Sequence, residues 1–332
     1  MSSAAKKYIN ICLSVILCCL VLSSCSNNNQ QDDGKLKVVT TNFASYDFAR
    51  QIGGDEIDVQ LLMDPGVETH SYEPSPQDII MINECDVFIY VGGENEDWVN
   101  GILDTLDSEE LEIIKLMDCV EVVEEEIVEG MEHEHDEHNE HNEHDEHDEH
   151  DEHEDNENWD EHVWTSPDNA IKICKTIEDL FSKIDAENAK NYESAYNEYE
   201  AKLVNLDNAF KDIMKNAKRH TIVFGDRFPV RYFVEEYDIE YFAAFPGCSS
   251  DTEASASTIA FLIDKVKNEN IPVVFKIELS NGNIADTISE ETGAKVLTFY
   301  SCHNLSKEDF GNGKTYLDFM WENVEALKIA LN

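Results

Sequence analysis

The sequence predicts an α/β protein of two lobes, each with a mostly parallel sheet, joined by one long rigid helix and leaving a cleft between them. Three observations predict it. Short apolar strand-like runs alternate with helical runs in both halves of the 332 residues, the pattern of parallel strands with crossover helices. A single apolar stripe of Ala189, Tyr192, Tyr196, Tyr199, Leu203, Leu206, Phe210 and Ile213 recurs at spacings of three and four. It marks one helix of roughly 28 residues, on the order of 40 Å, between the two series. Finally, 42% hydrophobic content over this length can fill the cores of two domains of ordinary size.

Taken in order, 37–41 reads as a strand and 43–52 as a helix stopped by Gly53-Gly54. A second strand covers 58–62, and 75–83 is a helix entered through Pro74 and Pro76. Strands follow at 86–91, apolar after Asp86, and at 112–116. Beyond the long helix, strands are expected at 221–224, 239–243, 273–277 and 295–299, with helices at 258–268, 283–292 and 316–331. Loops after the carboxyl ends of such strands line the crevice where open α/β sheets bind ligands.

The net charge is −47. Between 121 and 161 stand 22 Asp or Glu and no Lys or Arg, and the remainder still carries −25. So acidic a surface repels phosphate backbones, which excludes nucleic-acid binding, and it favours cations nearby. Within the acidic insert, His133, His135, His138, His141, His144, His147, His150 and His153 recur, from His135 at every third residue. Such a tract has no apolar face to bury and is expected to be disordered without metal. Imidazole and carboxylate together suit Zn²⁺, Ni²⁺ and Cu²⁺.

At the N-terminus Lys6 and Lys7 precede a mostly apolar run over 9–22, too short to span a bilayer comfortably. Leu22-Ser23-Ser24-Cys25 then resembles a bacterial lipobox, which implies that Cys25 carries lipid and the polar residues after it form a tether. The expected organisation is a signal peptide at 1–24 and a lipid-anchored tether at 25–35. An N-terminal lobe at 36–184 contains the His-rich loop 124–158; a connecting helix at 185–217 leads to a C-terminal lobe at 218–332. Cys85, Cys119, Cys174, Cys248 and Cys302 remain in the mature chain. An odd number at wide spacing implies no disulfide framework.

Outside the insert the histidines are His70, His162, His220 and His303. His70 lies between a strand and a helix, and neutral imidazole is a good ligand for Zn²⁺. His162 stands between the His-rich insert and a helix. The motifs around them are specific. His70-Ser71-Tyr72-Glu73-Pro74 resembles the His-x-Tyr-Glu-Pro ligand motif of the zinc/manganese-type solute-binding lipoproteins of ABC importers, an adhesin-like metal-binding family. Asp160-Glu161-His162-Val163-Trp164-Thr165-Ser166-Pro167 is similar to that family's Asp-Pro-His-x-Trp-x-x-Pro. An acidic His-rich insert ahead of the second motif resembles the loop of its zinc-type members, and the likeness extends over 37–331.

The resemblance implies that His70 and His162 ligate a metal in the interlobe cleft. The C-terminal lobe departs from the pattern. The family's third histidine falls at Asp226 or Arg227; Arg stays protonated and cannot ligate, whereas Asp226 can do so through oxygen or form a salt bridge with Arg227 or Arg231. Its acidic fourth ligand falls in Tyr300-Ser301-Cys302-His303, which has no carboxylate, so His303 is the preferred donor and Cys302 its rival. Glu73 could orient the His70 ring, and Glu253 and Glu278 are further candidate ligands or supporting acceptors. The set His70, His162, His303 and Asp226 fits four-coordinate Zn²⁺ better than Mn²⁺, which prefers more carboxylate.

The implied function is capture of Zn²⁺, or a similar divalent metal, by a monomeric extracytoplasmic protein that is membrane-anchored through lipid. It would deliver the metal to an ABC permease, without enzymatic chemistry. The competing readings are a cell-surface metal buffer or adhesin acting through the His-rich loop, and a secreted zinc hydrolase. No HExxH or other hydrolytic signature supports the last.

Overall fold

The structure, a computed structural model, describes residues 34–67, 72–105, 111–131, 158–249 and 253–332. The N-terminal sheet is built from β1 (Leu36–Thr40), β2 (Ile57–Leu61), β3 (Val87–Tyr90) and β4 (Glu112–Lys115) in the order β2-β1-β3-β4. All pairings are parallel, with Val38 opposite Val59 on one side and Val87 on the other. Helices α1 (Phe43–Gly53), α2 (Pro76–Glu84) and α3 (Asp97–Leu103) connect the strands. Ser75 and Asp78 form a reciprocal capping box at the start of α2. The sequence-based reading does not contain α3, whose seven residues are too few to establish a helical period.

Helices α4 (Pro167–Ile184) and α5 (Ala189–Asn216) link the two sheets. The second sheet repeats the first: β5 (Thr221–Phe228), β6 (Glu240–Pro246), β7 (Val273–Lys276) and β8 (Lys295–Thr298) run parallel in the order β6-β5-β7-β8. Around it lie α6 (Arg231–Tyr237), α7 (Ala256–Glu269), α8 (Asn283–Thr292), α9 (Lys307–Gly311) and α10 (Tyr316–Leu331). In each sheet the winding reverses beside the central strand, between β1 and β3 and between β5 and β7. These are the switch points at which the carboxyl ends of strands open a crevice.

Of the predicted stripe on α5, Tyr192, Tyr196, Tyr199, Leu203, Leu206, Phe210 and Ile213 are all buried. They belong to one apolar cluster that includes Val38 of β1 and Phe224 of β5, so α5 serves both sheets. The C-terminal helix crosses to the first lobe: Phe319 meets Phe43 edge-on, Tyr316 meets Phe48, and Tyr316 N donates to the buried Asp47 carboxylate at 2.9 Å. Strand β5 is longer than expected. It continues through Gly225 and Asp226 to Phe228, with a register shift against β6 between Phe224 and Arg227. The five described cysteines are free, and among the described residues no helix is long and apolar enough to cross a membrane.

Candidate metal centre

His162 ends an irregular loop and caps the short 3₁₀ turn Val163–Thr165; Ser166 then caps α4 through Asn169 N, with Pro167 in its first turn. The imidazole is fully buried. Asp160 Oδ1 accepts the His162 backbone N–H at 2.8 Å and lies 3.2 Å from Nδ1. A carboxylate at Nδ1 holds the proton there and leaves Nε2 unprotonated, the usual arrangement behind a metal-binding histidine. Burial alone would depress the imidazole's pKa, but the carboxylates of Asp160, Glu161 and Glu125 together outweigh it and the net shift is upward. Tyr232 of α6 donates to the Asp160 carbonyl at 2.7 Å, so the second lobe helps to fix this loop.

His303 arrives from the loop after β8. Its ring lies edge-on to that of His162, with centroids 5.4 Å apart, and 5.0 Å from the Trp164 ring. Trp164 is fully buried, and its indole N–H donates to the Ser301 carbonyl at 2.8 Å. Cys302, in a left-handed conformation at φ 60, turns its side chain into the apolar core instead. His303 N is 3.3 Å from Glu278 Oε1 and its carbonyl accepts from Phe43 N at 2.9 Å. The His303 ring thus belongs to the second lobe's loop yet rests on the first lobe.

The cavity beside His303 is also lined by Met63, Tyr72, Glu96, Trp98 and Glu161, and measures about 10 Å³. That is room for one water-sized species. Glu161 and Glu96 are buried carboxylates that the sequence-based reading passed over. Glu161 accepts from Asn95 N at 2.9 Å and from Asn95 Nδ2 at 3.0 Å, and Glu96 accepts from Val91 N and Gly92 N at 2.7 and 2.9 Å. Gly93, at φ 89, leaves space that a β-carbon would take from the Glu161 side chain. The signal for Glu161 lay inside the second motif, where it replaces the proline of the resembled pattern.

Burial raises both carboxyl pKa values, that of Glu96 to about 7. A folded-state pKa above the unfolded value means that the native state holds the proton more tightly. Stability from Glu96 is therefore present below about pH 4.5 and lost as pH rises towards 7. Glu96→Gln is expected to remove on the order of 2 kcal/mol of this pH dependence. Urea unfolding at pH 5 and pH 8 checks it, and an unchanged difference between the two pH values would sink the assignment.

Asp226 sits in the irregular part of β5. Its carboxylate accepts from Arg227 N at 2.9 Å and from Ile277 N at 3.3 Å, and burial raises its pKa. It does not line the cavity beside His303. Arg227 is buried and donates to the Ser249 carbonyl, while Arg231 pairs with Glu235 at 2.7 Å. Glu73 and Glu253 are exposed, and Glu278 supports the loop that carries His303. His70, the lipobox cysteine Cys25 and the insert histidines from His133 to His153 lie outside the described residues. Among the described residues no group of three or more His, Cys, Asp or Glu is gathered as a metal site; His162 and His303 are the two predicted donors that the fold brings together.

Two parallel four-stranded sheets, wound alike, with strand-end loops of both halves brought together at His162 and His303, define a bilobal α/β protein. The chain belongs to the family described as Zinc-uptake complex component A periplasmic, which matches residues 38–330. It is 34% identical over 295 residues to the zinc-binding lipoprotein AdcA of Streptococcus pneumoniae, covering 89% of this chain but only 56% of that protein. It is 33% identical over 302 residues to the high-affinity zinc uptake system protein ZnuA of Bacillus subtilis, covering 90% and 88% of the two chains. The crystal structure of the Zn(II)-bound ZnuA-like domain of S. pneumoniae AdcA superposes with a TM-score of 0.72 at 30% identity, over 90% of this chain and 99% of that domain.

Proposed function

We propose that this protein captures Zn²⁺ between its lobes and delivers it to the permease of an ABC importer, acting as a carrier without catalysis. The observation that carries the proposal is the pair of imidazoles, His162 and His303, held 5.4 Å apart from opposite lobes, with Asp160 directing the His162 ring. The small cavity beside His303 supports an ion rather than an organic solute as cargo. By the sequence motif His70 is the third donor, and Asp226, which stands where the family pattern places a histidine, is the proposed fourth. A set this rich in imidazole favours Zn²⁺ over Mn²⁺. Lipidation at Cys25 would keep the monomer outside the cytoplasm and within reach of its permease, and the His-rich tract would supply weaker auxiliary sites.

The test is competition for Zn²⁺ between the full chain and a high-affinity chelator, which silences weak sites. The wild type is expected to hold one tight ion. His162→Ala and His303→Ala should each weaken it by more than about 100-fold, beyond the 10–100-fold that loss of a supporting partner costs. A wild type with no tight site, or variants that bind as tightly as the wild type, would overturn the proposal.

A further inference from the structure

We infer that Glu278 is a positioning residue for His303: it does not bind the ion itself but holds the loop that presents the imidazole. Glu278 stands two residues beyond β7, and the loop it holds follows the neighbouring strand β8. One carboxylate oxygen accepts from Ser301 N at 2.7 Å; the other accepts from Ser301 Oγ at 2.6 Å and lies 3.3 Å from His303 N. Ser301 Oγ in turn accepts from His303 N at 3.2 Å. The clamp therefore closes around Cys302, the residue between, whose φ of 60 is a conformation non-glycine residues rarely adopt. That backbone turn sends the Cys302 side chain into the core and leaves His303 facing the cavity.

The backbone of the rest of the loop is also tied, by neutral groups. Asn323 brackets Tyr300, accepting from its N–H and donating to its carbonyl, each at 2.8 Å. Trp164 donates to the Ser301 carbonyl and Phe43 N to the His303 carbonyl. Asn304 donates to the carbonyls of Asp64 and Val67 at 3.1 and 3.0 Å. Among the backbone hydrogen bonds described for 300–303, Glu278 contributes a carboxylate, and its partners are two backbone amides and one hydroxyl. A carboxylate engaged in this way fixes ligand geometry and adds negative charge close to a bound cation, as partners behind metal ligands do.

The inference rests on the proposed zinc site, and a double-substitution cycle separates the two. In the chelator competition, Glu278→Gln, which keeps the shape and loses the charge and part of the acceptor capacity, is expected to weaken Zn²⁺ binding by about 10–100-fold. Ser301→Ala, which removes one partner of the clamp, should produce a smaller loss in the same direction. In a His303→Ala background both substitutions should cost less than about twofold, because the ring they position is absent. If Glu278→Gln binds like the wild type, or costs as much without His303 as with it, Glu278 is dispensable or acts as a ligand and the inference falls while the zinc site stands. If the wild type itself holds no tight ion, the site and the inference fall together.

Discussion

Trp164→Ala is expected to destabilise the protein by about 3–5 kcal/mol, the cost of truncating a fully buried large aromatic and leaving a cavity. Three features place it at the upper end of that range. The indole has no exposed surface, and it packs 5.6 Å from the His162 ring and 5.0 Å from the His303 ring. Its N–H is the donor to the Ser301 carbonyl, which loses that partner. Its own carbonyl accepts from Tyr316 of the C-terminal helix at 2.9 Å, so a shifted backbone would disturb a third element. Trp164→Phe should cost less, since it keeps most of the packing and loses only the donor. Urea unfolding of the two variants measures both effects, and a loss below about 1 kcal/mol for Trp164→Ala would show that the junction between the lobes relaxes around the gap.

Gly225→Val is expected to cost at least about 3 kcal/mol, at or beyond the upper end for overpacking. A β-carbon at Gly225 would lie 2.5 Å from the Cα of Ala285 and 2.6 Å from its N. These are backbone atoms of α8, not the yielding end of a side chain, so either β5 or the helix must move. Gly225→Ala should show the same direction at smaller size. Because Gly225 is next to Asp226 and inside the register shift of β5, the displacement should also disturb the amides that hold the Asp226 carboxylate. Thermal unfolding of the two variants is the check; an alanine variant as stable as the wild type would mean that the packing between β5 and α8 is looser than these distances.

Regularity made much of the fold legible in advance. Seven residues of the α5 stripe are buried as their spacing requires, because a helix 28 residues long repeats its period often enough to be unmistakable. Largely apolar runs such as 86–91 and 273–277 read as strands from their composition and length rather than from a period. Where the period is short or broken, the reading failed. The seven-residue helices α3 and α6 carry too little period to be read, and the strand expected at 221–224 stops before Gly225 and Asp226, residues that usually interrupt a strand. Here the close packing of α8 requires a glycine, and the amides of Arg227 and Ile277 accommodate the aspartate.

The candidate site divides along the same line. By itself the sequence determined the alternating architecture, the long connecting helix, the acidic and histidine-rich character, and His162 and His303 as candidate donors. These are local properties, carried by residue type and spacing within a few positions of the chain. Only the tertiary structure decided that His162 and His303 face each other at 5.4 Å, that Cys302 turns away, that Glu161 and Glu96 are buried beside the cavity, and that Glu278 grips Ser301. Each of these depends on partners far apart in the chain. Asn304 reaches carbonyls 240 and 237 residues away, and the Trp164 indole reaches one 137 residues away. Such contacts form only when the loops that follow separate strands are brought to the same crevice, and that is set by how the two sheets pack against their shared helices.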